Sequence, residues 1–183
     1  DPCPGRQAGG RGAGLALLDS FLAGRGREYH RRMSSPVSAE DACSRLSPHY
    51  AWGTLSLREV VQATRARKVT LAGESGAEAV SFRRALTAYL SRLHWHCHFV
   101  QKLESEPAIE FRPVHRGYEG LREAEFDRER FERWCGGQTG WPFVDACLRM
   151  LAASGWINFR MRAMLVALSS YHLWLHWREP GLH

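Results

Sequence analysis

The chain has 183 residues, enough for one domain with a sizeable core, and 44% of them are apolar, which excludes a chain disordered throughout. A net charge of +6 and a pI near 9.4 favour acidic partners such as nucleic acid. No run of about 18 uncharged apolar residues occurs, so no membrane span is expected. The five cysteines are scattered without a CxxC pair, which fits reduced thiols in a cytoplasmic protein better than a disulfide framework.

Residues 1–13 read as a mobile Gly/Arg-rich lead-in, without the apolar stretch of a signal peptide. Residues 14–183 read as one helical domain. The stretch GLALLDSFLAG places Leu15, Leu18 and Leu22 at helical spacing and stops at Gly24. Two arginine clusters flank the next segments: Arg25, Arg27, Arg31 and Arg32, then Arg65 and Arg67 with Lys68. Such runs usually form solvated faces; phosphate binding is the alternative, and on it Arg31 and Arg32 would contact DNA.

Between the clusters, Ser47-Pro48 reads as an N-cap followed by proline at the first helical position, and Gly53 can end that short helix in a left-handed conformation. Ser56 and Glu59 have the spacing of a capping box for the next helix. The cap leaves Ser44 and Arg45 unexplained. A hydroxyl and a positive side chain beside outward-facing amides would also make a phosphate cradle.

From Glu78 to Leu103 apolar residues recur with a helical period, and Pro107 closes the segment. Here RLHWHCHF puts His94 and His98 one turn apart. No third ligand accompanies them and position 95 is tryptophan, so no metal is assigned. SEPAIEFRPVHRGYEGL is loop-like. A charged helix follows over 124–135, then one from Pro142 to Ser154 that stops at Gly155. Asn158 can cap a last helix from Phe159 to Trp177, ended by Glu179-Pro180-Gly181. This helix is apolar on most sides and is expected to be buried, so Arg162 needs either an internal carboxylate, Asp145 being the nearest candidate, or a bound anion. No segment alternates with a two-residue period and no repeat occurs. The expected fold class is all-α.

The stretch GGQTGWPFVDACLRMLAASGWINFRMRAM, together with Ser44-Arg45-Leu46-Ser47-Pro48 upstream and SRLHWHCHFVQKL between them, is similar to the signatures of the cryptochrome/DNA photolyase family. The resemblance covers roughly Gly14 to His183. It implies a helical FAD-binding domain, incomplete at both ends: the N-terminal domain that binds an antenna chromophore would lie outside this chain, as would the flavin loop beyond His183. It also implies a cytoplasmic monomer that acts on DNA containing pyrimidine photoproducts.

Residue by residue, the resemblance assigns Tyr29, Ser44, Arg45, Leu46, Ser47 and Arg162 to the flavin, with Ser44–Ser47 on its pyrophosphate. Cys43 stands where many members have threonine. Trp95 matches the tryptophan that stacks on the dimer, and Trp177 a member of the chain that photoreduces the flavin; without the resemblance both read as core aromatics. Arg92, His96, Phe159 and Arg160 fall at substrate-contacting positions. Three of these depart from the family pattern: Arg92 replaces a glutamate, His96 an arginine and Phe159 an asparagine. Ala163 replaces a methionine that packs on the dimer. His96 is a candidate for acid–base assistance, so Trp95, His96 and Trp177 are the candidate catalytic residues. The implied activity is deoxyribodipyrimidine photo-lyase chemistry, a carbon–carbon lyase reaction driven by light through reduced FAD. A cryptochrome-like photoreceptor without repair is the alternative, and a relative that keeps the scaffold and binds nothing tightly is a third.

Overall fold

The computed structural model describes residues 3–183 and is helical, with no strand among the described residues. Asp1 and Pro2 of the lead-in lie outside them. The chain divides into two compact units. One is Ala8–Val100; the other joins residues 3–7 to Gln101–His183.

The first unit starts with α1 (Arg11–Ala23), which begins inside the Gly/Arg-rich lead-in. A 3-10 turn over Arg25–Glu28 leads into the single turns α2 (Tyr29–Arg32) and α3 (Ala39–Ala42). The short α4 (Ser47–Ala51) follows, and Gly53 takes the left-handed conformation behind it, with φ 65°. Helix α5 (Leu57–Ala72) starts as the capping box requires: the Ser56 hydroxyl accepts the Glu59 amide at 3.1 Å. The long α6 (Ala77–Ser105) supplies Phe82, Ala85, Leu86, Tyr89 and Leu93 to a core shared with Leu18 and Phe21 of α1 and Val60 and Leu71 of α5. Apolar residues at three- and four-residue spacing on each helix form this core.

Gly26 is the tightest point in this packing. A Cβ there would meet the Phe21 ring at 2.6 Å from Cε2, and the ring is fully buried against Tyr29 and Tyr89. Gly26→Ala is expected to destabilise by about 1–3 kcal/mol through overpacking, seen as a lower urea midpoint. An unchanged midpoint would mean that the ring moves freely.

In the second unit α7 (Arg128–Cys135) is capped by Asp127, whose carboxylate accepts the Arg130 amide at 3.0 Å. Helix α8 (Pro142–Ser154) ends at Gly155 with φ 66°. Helix α9 (Phe159–Ala167) packs on α8, and a core of Trp134, Val144, Leu148, Ile157, Met161 and Leu165 joins the three helices. Residues 3–7 are tied to α8, since the Gly5 amide donates to Ala153 O at 2.8 Å.

The expected continuous helix from Phe159 to Trp177 is not formed. Helix α9 stops at Ala167 and unwinds through a π-turn over Leu168–His172, and Trp174 has φ 59°. The predicted terminator Glu179-Pro180-Gly181 lies inside a final turn of helix, α10 (Arg178–Leu182). Proline is tolerated there because the first turn of a helix needs no internal N–H bonds.

Among the described residues no helix is long and apolar enough to cross a membrane. All five cysteines are free thiols.

Candidate functional site

In the Ala8–Val100 unit the site begins at the loop between α3 and α4. The Arg25 guanidinium holds the loop from one side. Its Nη1 donates to Asp41 O at 2.9 Å and to Cys43 O, its Nη2 to Ser44 O at 3.3 Å and to Leu17 O at 3.2 Å. Burial pushes the Arg25 pKa down from its ordinary 12.5, and a guanidinium stays charged in proteins. In a trans peptide the C=O and N–H point in opposite directions. The Cys43 and Ser44 carbonyls face Arg25, so the Ser44 and Arg45 amides face the other way.

The backbone then reverses hand. Arg45 has φ 63° and Leu46 has φ −90°, ψ −5°. Successive residues of opposite hand turn their amides toward one concave side, an arrangement that binds anions. The expected Ser47 cap is corrected: Leu46 occupies the cap position, Ser47 and Pro48 are the first two helical residues, and no side chain caps α4. The Ser47 hydroxyl therefore competes with no ligand for the helix amides. The Arg45 guanidinium pairs with Glu40 at 2.8 Å, so its backbone, and not a free cation, shapes the cradle.

Behind the loop stand three tyrosines. The Tyr89 hydroxyl is 2.9 Å from that of Tyr50 and also bonds to Ser44. The Tyr29 ring meets Tyr89 edge-on at 5.5 Å. Burial, ahead of every other influence, raises the pKa of all three phenols, so they remain neutral hydrogen-bonding groups. The His96 ring lies edge-on to Tyr50 at 5.6 Å. Ser44, assigned to cofactor, and His96, assigned to substrate, are thus linked through two tyrosines that the sequence reading did not single out.

Further along α6, Trp95 is 52% exposed, with the Phe99 ring 6.0 Å away and the His98 ring 5.6 Å away. Arg92 and His94 are exposed on the same helix, and no group of three metal ligands exists among the described residues. The arginine clusters do not form a uniform free cationic face. Arg25 is used internally, Arg32 lies 4.0 Å from Glu28 and 3.9 Å from Asp41, and Arg67 pairs with Glu74 at 3.3 Å; Arg31 remains exposed.

In the second unit Asp145 anchors the Thr139-Gly140 turn. Its Oδ1 accepts the Thr139 amide at 2.8 Å and hydroxyl at 2.6 Å, and its Oδ2 accepts the Gly140 amide at 3.1 Å. Burial alone would raise this carboxyl; the three hydrogen bonds outweigh it and leave the pKa below the usual 3.8. Asp145 is therefore not the partner of Arg162. The expectation of buried arginines is corrected too: Arg160 and Arg162 are exposed on α9, as is Phe159 at 71%, and neither arginine forms an ion pair among the described residues. Helix α9 covers only its Met161–Leu165 side, which is why periodicity overstated its burial. Trp177 is half-buried, its ring 5.5 Å from that of His176.

The outward amides of the 43–47 loop and the neutral phenols behind it suit a dinucleotide, whose diphosphate needs convergent N–H donors. Comparison with known proteins agrees. A deoxyribodipyrimidine photo-lyase of Streptomyces griseus is 33% identical over 98% of this chain and 35% of its own length. The solved class III photolyase of Agrobacterium tumefaciens superposes with a TM-score of 0.75 at 27% identity, over 93% of this chain and 33% of that one. A Synechocystis cryptochrome gives 0.78 at 26% identity, over 95% and 35%. The chain thus spans about a third of the length of these relatives. The family described as the FAD binding domain of DNA photolyase matches residues 89–183, which is more than half of the sequence. The helical fold and this match show that the chain belongs to the photolyase/cryptochrome family, as part of its FAD-binding domain.

Proposed function

We propose that the protein carrying this chain repairs pyrimidine photoproducts in DNA by light-driven electron transfer, a deoxyribodipyrimidine photo-lyase reaction. The observation that carries the reading is the loop at Cys43–Ser47, with its carbonyls gathered by Arg25 and its backbone reversing hand at Arg45. In this reading the amides of Arg45, Leu46 and Ser47 take the FAD diphosphate, and Ser44 is oriented for it by Tyr89. The resemblance assigns Tyr29, and separately Arg162, to the rest of the cofactor. Bound FAD, fully reduced, supplies the photoexcited electron donor.

The chain's own residues then supply position and surface. Trp95 offers an exposed indole face on which a flipped-out pyrimidine dimer can stack, and Phe99 extends it. His96, with Arg92 one turn before it, presents hydrogen-bond donors to that lesion; the resemblance also assigns Phe159 and Arg160, on α9, to the substrate. Trp177 serves flavin photoreduction. The proposal includes a monomeric, cytoplasmic protein whose antenna chromophore is bound by an N-terminal domain.

A cryptochrome-like signalling role is the second reading. It is favoured by the departures at Arg92, His96, Phe159 and Ala163, since these change the substrate side and leave the diphosphate loop intact. Light-dependent repair of a dimer-containing oligonucleotide by the full-length protein separates the two. Repair supports the first reading; tight FAD with no repair when the flavin is fully reduced supports the second. A protein that takes up no FAD overturns both.

The loop itself has its own test. At φ 63° glycine is unstrained and a β-branched residue is strongly disfavoured. Arg45→Gly is expected to retain FAD within a few-fold of the parent, and Arg45→Val to lose about tenfold or more. Equal losses in both variants would assign the contact to the guanidinium instead.

A further inference from the structure

The Tyr89 hydroxyl has two hydroxyl neighbours, Ser44 and Tyr50, and a single proton to share between them. Packing fixes where that hydroxyl sits. The Tyr89 ring is buried, with the Phe21 ring 4.7 Å away and the Tyr29 ring 5.5 Å away. Tyr50 belongs to α4, the helix that the 43–47 loop leads into, so the three hydroxyls run from the loop to α6 and back to α4. Ser44 is buried too, and Arg25 Nη2 holds its carbonyl, which leaves the rotation of the Ser44 hydroxyl for its neighbours to set.

A row of three hydroxyls has few proton orders. If Ser44 donates to Tyr89 and Tyr89 to Tyr50, the Tyr50 proton has no acceptor within the row. If Ser44 and Tyr50 both donate to Tyr89, the Tyr89 proton is idle. If Tyr50 donates to Tyr89 and Tyr89 to Ser44, both phenol protons are used, and the one left over is on Ser44, at the loop end. An idle buried donor costs about 1–3 kcal/mol, whereas an oxygen with two lone pairs tolerates one unused. The third order is therefore favoured, and it points outward from Tyr50 to the loop.

We propose that Tyr50 and Tyr89 are positioning residues that make the loop select an acceptor-only anion, by presenting the Ser44 proton to it. The proposal rests on the reading of this loop as the diphosphate site. A diphosphate offers acceptors alone and takes the one proton that the row leaves over. Each hydrogen bond in such a row polarises the next, so Tyr50 strengthens the Ser44 donor without touching the ligand.

The test is a double-mutant cycle on FAD affinity, measured by flavin fluorescence on the full-length protein freed of flavin. Ser44→Ala should weaken FAD by about tenfold, because it removes a charge-assisted hydrogen bond. Tyr89→Phe should weaken it by about fivefold and Tyr50→Phe by about threefold, since both act through Ser44. In the Ser44→Ala background neither should cost a further twofold, whereas a merely structural role would multiply the losses. Riboflavin, which lacks the diphosphate, should lose less than twofold in either tyrosine variant, with far-UV circular dichroism confirming the fold. Unchanged FAD affinity in Tyr89→Phe, losses that multiply with that of Ser44→Ala, or riboflavin weakened as much as FAD would each overturn the relay and leave the diphosphate site standing. A parent protein that takes up no FAD would overturn the site and the relay together.

Discussion

Replacing Arg25 by methionine is expected to cost about 3 kcal/mol of stability and to weaken FAD retention by about a hundredfold. One guanidinium serves four carbonyls, those of Leu17, Asp41, Cys43 and Ser44. Methionine keeps an unbranched apolar stem and offers no donor. The carbonyls of the 41–44 stretch are then free to turn toward water, and the amides across the same peptides turn with them. Arg25→Lys should recover only part of the loss, since an ammonium has three donors and lacks the planar fork. The measurement is FAD affinity by flavin fluorescence, set beside a urea melt. Undiminished affinity in a folded Arg25→Met protein would show that the loop holds its shape without the guanidinium.

The second large effect is expected at Asp145. Asp145→Ala leaves two amides and a hydroxyl without their acceptor, and should cost about 3 kcal/mol. The pH dependence has a definite sign. The folded pKa lies below the usual 3.8, so the carboxylate contributes its full stabilisation above that value and loses it as pH falls through the folded pKa. The gap in urea stability between parent and variant should therefore stay constant from neutral pH down to about 5, then close in stronger acid. A gap that persists in strong acid would assign the effect to packing.

Much of the architecture was legible because its boundaries are local. Ser56 with Glu59, Gly53 and Gly155 mark helix ends through bonds made within a few residues, and the structure places those ends as read. The end of the last helix was not legible, since a π-turn leaves no mark in apolar periodicity. The burial of Arg160 and Arg162 was misjudged for the same reason: a pattern apolar all round does not say which side another element covers. Arg25 looked like one cation among several. Its partners lie up to 19 residues away, and nothing local separates it from Arg27 or Arg31. Asp145 could have been read. It sits in the first turn of a helix opened by Pro142, with Thr-Gly just upstream, and a carboxylate there reaches back to the preceding amides. The signature motifs pointed to Ser44–Ser47, while Tyr50 and Tyr89 entered only through packing.

The contact of Arg122 with Ser170 O bears on the order of events during folding. Where α9 winds down, Leu168 O and Ser169 O are taken by the nearby Leu173 and Leu175 amides, and Ser170 O by a side chain 48 residues upstream. The first two bonds close small rings and can form as soon as the helix does. The third waits until the intervening chain, with α7 and α8 in it, has been gathered in, because closing a long loop carries an entropic cost that local bonds do not. Refolding followed by hydrogen exchange should then show the body of α9 protected ahead of its frayed end.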